Sequence, residues 1–168
     1  MSRRGVWLYD SCSARYKAER RLTPPLRVLL VEDNPGDIAL VRSLLQDAFP
    51  GTILHIAHNG VEALHLLGYV LESPPSITVE VDLILLDMSM PKMNGLEFLR
   101  MPRPADHPPI CLLTTGSDGQ FWQEARQLGA ADCQTKPADL DEYEAVLRKL
   151  VERWGSAQDV PVDLLTAL

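Results

Sequence analysis

Four apolar runs in this chain end in residues that can do chemistry. Glu32 and Asp33 follow one run, Asp87 closes the next, Thr114 and Thr115 close another, and Lys136 follows the last. Carboxylates brought together push one another toward protonation unless a cation sits among them. If Glu32, Asp33 and Asp87 meet, they call for a bound positive charge. Hard oxygen ligands, few in number and leaving room for water, describe a Mg2+ site. One divalent ion and the ammonium of Lys136 balance those three acids, and a neutral metal-bearing cluster is ready to receive an anion. A phosphoryl group is the natural candidate, because a metal ion, an ammonium and a hydroxyl are the parts that stabilise its oxygens. A carboxylate that itself attacks phosphorus becomes an aspartyl phosphate. Each residue has an ordinary alternative: an acidic pair after a strand, a Lys-Pro turn, strand-end threonines. Their joint placement at strand ends carries the reading.

The elements that would position them are well punctuated. Apolar, β-branched runs at Arg27–Glu32, Thr52–Ala57, Val81–Asp87, Pro109–Thr114 and Ala131–Thr135 predict five strands. Amphipathic segments lie between them. Ile38, Val41, Leu44 and Leu45 mark the first helix, and Val61, Leu64, Leu67 and Leu71 the second. Leu96 and Leu99 mark a short third helix, and Phe121, Ala125 and Leu128 a fourth. Leu140, Tyr143, Leu147, Leu150 and Trp154 mark the last. Asn34-Pro35 with Asp37 reads as a helix start, and Asp139 with Glu142 has capping-box spacing. Gly129 suits a helix C-terminus.

Repeated strand–helix alternation predicts an α/β fold, a doubly wound parallel sheet with helices on both faces. Right-handed crossovers favour the flavodoxin-like strand order 2-1-3-4-5. In such a sheet ligands bind beyond the carboxyl ends of the strands, near the point where the order reverses. Strands one, three and four then lie side by side, so the polar groups converge on one rim.

Composition sets the outer limits. A chain of 168 residues with 46% hydrophobic and 23% charged residues is a globular domain with a little to spare. No stretch is apolar for the ~18 residues a membrane span requires, and no signal-peptide core opens the chain. Cys12, Cys111 and Cys133 have no metal-ligand spacing, which favours a reducing, cytoplasmic setting. The net charge of −7 divides into +4 over residues 1–25 and −11 over the rest. An acidic body argues against direct DNA binding, which needs clustered Lys and Arg. The expected organisation is a basic N-terminal extension at 1–25, one domain at 26–154 and a short tail at 155–168, with no output domain. His55, His58 and His65 span a strand, a loop and a helix, a poor arrangement for a metal.

With these residues in place, the sequence resembles the receiver domains of two-component response regulators. The resemblance rests on Val-Leu-Leu-Val-Glu-Asp-Asn at 28–34, Leu-Ile-Leu-Leu-Asp-Met at 83–88, Met-Pro-Lys-Met-Asn-Gly at 90–95, Thr114-Thr115, and Thr-Lys-Pro at 135–137. It implies that Asp87 is the phosphoacceptor, taking its phosphoryl group from the phosphohistidine of a sensor kinase. Asp33 and Asp87 are then Mg2+ ligands, Ser89 offers its backbone carbonyl, and Glu32 is the outer acid. Thr114 matches the switch hydroxyl and Lys136 the phosphoryl-binding lysine, with a cis Lys136–Pro137 bond. Such a chain is not an enzyme acting on a separate substrate; it catalyses only its own phosphorylation and dephosphorylation. Cys133 departs from the family pattern, which places a Tyr or Phe there as a rotating switch. The segment Glu32–Asp37 and the long 72–80 loop are similar to small receivers that serve phytochrome-type sensor kinases.

Adjacent Phe121 and Trp122 cannot both point inward, so an exposed aromatic is expected, with homodimerisation through the face of the fourth helix, fifth strand and fifth helix. Two alternatives compete. One is a receiver-like interaction module that works without phosphate. The other is a phosphohydrolase, whose second acid two residues after the nucleophile is replaced here by Ser89.

Overall fold

The computed structural model describes residues 25–69, 78–116 and 119–155. Five parallel strands form one sheet in the order β2-β1-β3-β4-β5. They are β1 (Arg27–Val31), β2 (Ile53–Ala57), β3 (Leu83–Asp87), β4 (Ile110–Thr114) and β5 (Asp132–Thr135). The helices are α1 (Pro35–Ala48), α2 (Gly60–Leu66), α3 (Gly95–Arg100), α4 (Gly119–Gln127) and α5 (Leu140–Trp154). The expected fold and strand order are therefore correct; β1 starts where its apolar run does, and the other four strands start one or two residues later than theirs.

Every residue of β3 and β4 is buried, as a centre strand covered on both faces requires. Alternate side chains feed two cores. Leu29, Val31, Ile84, Leu86 and Leu112 pack with α2, α3 and α4 on one face. Val28, Leu30, Leu85, Leu113 and the buried stripes of α1 and α5 pack on the other. Fully burying one such aliphatic side chain stabilises the fold by about 1.5–3 kcal/mol.

Local chemistry ends the elements where the site needs them ended. The Asn34 side chain accepts from the N–H groups of Gly36 and Asp37 and starts α1 directly after the Glu32-Asp33 pair. Asn94 and Glu97 form a reciprocal capping box at α3. Asp139 caps α5 by accepting from Asp141 and Glu142. Gly129, at φ +94, closes α4 in a conformation that side chains rarely adopt. Arg103, from the proline-rich 101–108 loop, donates to the carbonyls of Leu99 and Leu128 and so ties the ends of α3 and α4 together.

Some expectations change. Leu140 is 57% exposed, so the inward stripe of α5 begins at Tyr143, one turn after the cap. Phe121 and Trp122 are both half-buried against the core, because α4 lays them along the edge of the packed layer; neither is an exposed anchor. No cis peptide bond occurs among the described residues, so Lys136–Pro137 is trans, the form favoured by about 0.5–1 kcal/mol even before proline. Cys12, Leu71, most of the 72–80 loop, and all but one residue of each chain extension lie outside the described residues.

Candidate functional site

The carboxyl ends of β1, β3, β4 and β5 meet at one rim. Glu32 follows β1 and continues its pairing, donating its N–H to the Ala57 carbonyl at 2.9 Å. Its side chain is 3% exposed. One carboxylate oxygen accepts from the Asn34 N–H at 3.0 Å and the other from Lys136 at 2.6 Å. Asp87 ends β3, in register with Leu113 of β4. Its Oδ1 meets Lys136 Nζ at 2.6 Å, and its Oδ2 accepts from the Ser89 N–H at 2.8 Å. Asp33 stays exposed beside them.

Lys136 is the centre of the arrangement. Its side chain is 8% exposed, and its ammonium meets Glu32, Asp87 and, at 2.9 Å, Asp37. Burial works to deprotonate such an amine. The hydrogen bonds it donates to Asp87, Glu32 and Asp37 overcome that penalty and hold the lysine above its ordinary range. Burial pushes the Glu32 carboxyl up, and the bonds from Lys136 and the Asn34 N–H only partly offset it.

Asp37 was legible in the sequence only as a first-turn acid on α1. Its pairing with Lys136 adds a fourth carboxylate to the site, so a divalent ion would leave one net negative charge where balance was expected. The Asp37 side chain is 34% exposed, and water screens that extra charge.

Thr114, buried at the end of β4, accepts from the Gly116 N–H at 3.2 Å, and its carbonyl accepts from the Lys136 N–H at 2.7 Å. Thr114, Ser89, Met88, Asn94 and Phe121 line an open cleft beside Asp87. Gly95, the first residue of α3, lies against the end of β3. A Cβ there would stand 2.9 Å from the Asp87 carbonyl, so only glycine lets α3 start this close to the end of β3.

Glu32, Asp33 and Asp87 each bring a carboxylate oxygen within 4.8 Å of the others, the one such group of metal-capable side chains among the described residues. An all-oxygen donor set of this kind fits Mg2+ or Mn2+. The three histidines form no comparable group among the described residues. Cys111 and Cys133 are buried free thiols, Cys111 pushed up to about 12 by burial, which leaves both as packing.

An acid cluster and a lysine, on the carboxyl rim of a sheet wound in this order, define a phosphoacceptor-type receiver architecture. The chain belongs to the response regulator receiver domain family, whose sequence model matches residues 28–148. It is 35% identical over 140 residues to the transcriptional regulatory protein TrcR of Mycobacterium tuberculosis, covering 83% of this chain and 50% of that one. It is 32% identical over 137 residues to the regulatory protein AtoC of Escherichia coli, covering 80% of this chain and 27% of that one. The chain thus spans half or less of the length of these curated relatives. Among solved structures, it resembles the phosphorylated cyanobacterial phytochrome response regulator RcpA, with a TM-score of 0.70 and 26% identity. That match covers 82% of this chain and 99% of RcpA. The Mn2+-bound response regulator Rcp1 matches with a TM-score of 0.67 and 26% identity, over 79% of this chain and 96% of Rcp1.

Proposed function

We propose that this chain takes a phosphoryl group from the phosphohistidine of a sensor kinase onto Asp87 and passes the signal on by protein contact. The observation that carries the reading is the Lys136 ammonium, brought by β5 to within 2.6–2.9 Å of carboxylates on β1, α1 and β3. An oxygen of Asp87 attacks phosphorus in line while the P–N bond breaks. The bonding pair returns to the imidazole, which leaves neutral when its second nitrogen already bears a proton. Lys136 opposes the charge on the transferring oxygens, and the Thr114 hydroxyl, on the adjoining strand, donates to the product. Asp33 and Asp87, with the Ser89 carbonyl and Glu32 behind, would hold a Mg2+ that neutralises phosphoryl charge.

Transfer converts a carboxylate of charge −1 into an acyl phosphate of about −2. The added charge draws Lys136 and Thr114, and β5 and β4 carry that pull toward α4 and α5. The result is a shift of population between two packings of one fold. Cys133, 2% exposed, has no ring to rotate, so the output leaves through backbone and helix packing. We assign the receiver body to 26–154, flanked by a basic segment at 1–25 and a tail at 155–168, in the cytoplasm. Its partners are a sensor kinase, of phytochrome type as the likeness to RcpA suggests, and a second copy of itself.

With acetyl phosphate and Mg2+, the wild-type protein should gain hydroxylamine-sensitive phosphate, and Asp87→Asn should gain none. Undiminished labelling of that variant would place the nucleophile elsewhere.

A further inference from the structure

The two flanks of β3 differ around Asp87. β1 lies on one side and β4 on the other. The β1 side is crowded with charge, because Glu32, Asp33 and Asp37 follow that strand and the Lys136 ammonium joins them. The β4 side opens into the cleft described above, about 490 Å³ in volume, with Met88, Ser89, Thr115, Gly116 and Phe121 in its wall. Ser89 donates its N–H to Asp87 Oδ2 at 2.8 Å, so the cleft begins at the reacting carboxylate. None of its described lining residues is charged.

In-line transfer puts the leaving atom on the far side of phosphorus from the attacking oxygen. The acids and the lysine fill the β1 side, which leaves the cleft as the space for the departing group. A carboxylate or a nucleoside diphosphate leaving there meets no cation in the described wall and is repelled by the acids behind Asp87. A neutral aromatic ring meets neither difficulty, and Phe121 offers it a ring to pair with. Phe121 is half-buried on α4 and packed against the core, so it is held in place before a donor arrives. Beyond the area they bury, aromatic pairs gain the equivalent of roughly two- to tenfold in a rate or binding constant.

We infer that Phe121 selects the leaving group of the phosphoryl donor: its ring, with the Met88 thioether, receives the neutral imidazole of a phosphohistidine in preference to an anionic leaving group. An Asp87 oxygen forms its bond to phosphorus as the P–N bond breaks. The electron pair of that bond stays on the imidazole nitrogen, and the ring leaves neutral because its other nitrogen bears the proton. The inference rests on the phosphoacceptor reading above and adds to it the residue that discriminates between donors.

Phosphate uptake is measured with N-phosphorylimidazole and with acetyl phosphate, each with Mg2+, and the ratio of the two rate constants is compared between variants. That ratio is independent of how much of a variant is folded. Phe121→Leu removes the ring but keeps an apolar side chain of similar bulk for α4 to pack with. Its ratio should fall roughly two- to tenfold below that of the wild type. Phe121→Tyr keeps the ring and should keep the wild-type ratio. An unmoved ratio in Phe121→Leu, or an equal fall in Phe121→Tyr, overturns the inference and leaves the phosphoacceptor reading standing. A wild type that takes up phosphate from neither donor overturns that reading and this inference with it.

Discussion

Lys136 is held charged against its burial. Burial opposes the ammonium, and the hydrogen bonds it donates to the carboxylates around it more than offset that. The dependence runs both ways, because Glu32 and Asp87 are buried acids with little water to turn to. Removing one member of a buried charge cluster costs about 3–5 kcal/mol, since the remaining charges are left uncompensated. Lys136→Ala should therefore lower stability by roughly 3 kcal/mol in denaturant melts. It should still take up some phosphate, but the phosphorylated and free forms should no longer differ in amide exchange over α4 and α5. An undiminished exchange difference would deny the lysine its coupling role. The acids at 32, 33 and 87 and the lysine were legible because each sits at the end of an apolar run. Asp37 was not, because a first-turn acid already has a sufficient local explanation. Its bond to Lys136 depends on how the start of α1 sits beside the end of β5, which spacing alone does not encode.

At the level of elements, β1 and β3 are clamped at the end opposite the site. Asp82, just before β3, accepts from the Arg27 N–H at 2.8 Å and from the Arg27 guanidinium at 3.1 and 2.6 Å. That hydrogen-bonded guanidinium holds the Asp82 carboxyl below its ordinary value of 3.8. A lowered folded-state value means that the unfolded chain binds the proton more readily. The stabilisation is thus present above about pH 4 and fades as pH falls through the lower folded value. Asp82→Asn should cost about 1 kcal/mol at neutral pH, a modest figure because both partners are partly exposed. Its stability should also fall less between about pH 5 and pH 2.5 than that of the wild type. Parallel acid limbs in urea titrations would rule this out. Val81 and Asp82 were read as strand from their position in an apolar run; the structure makes Asp82 the buckle before the strand instead. Strand order was legible because crossover handedness leaves so few choices. Strand starts were not, because pairing partners decide them.

At the scale of the whole molecule, the candidate site lies at one end of the sheet, and the output surface proposed above is on α4, β5 and α5. Among the described residues no helix is long and apolar enough to cross a membrane. Sequence adjacency suggested an exposed aromatic on α4, but Phe121 and Trp122 are both packed. Leu140, at the start of α5, is the large apolar side chain most open to solvent among the described residues. A homodimer through this face should therefore lose its added mass in Leu140→Asp at tens of micromolar protein. A monomeric mass for the wild type, with and without acetyl phosphate, would remove the dimer from the account. An interface is the hardest feature to read from one sequence, because the partner's surface is half of the pattern. The central claim is narrower, that Asp87 is where phosphate lands. Wild-type protein treated with acetyl phosphate and Mg2+, then reduced with borohydride, converts an aspartyl phosphate to homoserine, which peptide mass spectrometry locates. The account predicts homoserine at position 87 and at no other aspartate; homoserine elsewhere, or none in a protein that has taken up phosphate, would contradict it.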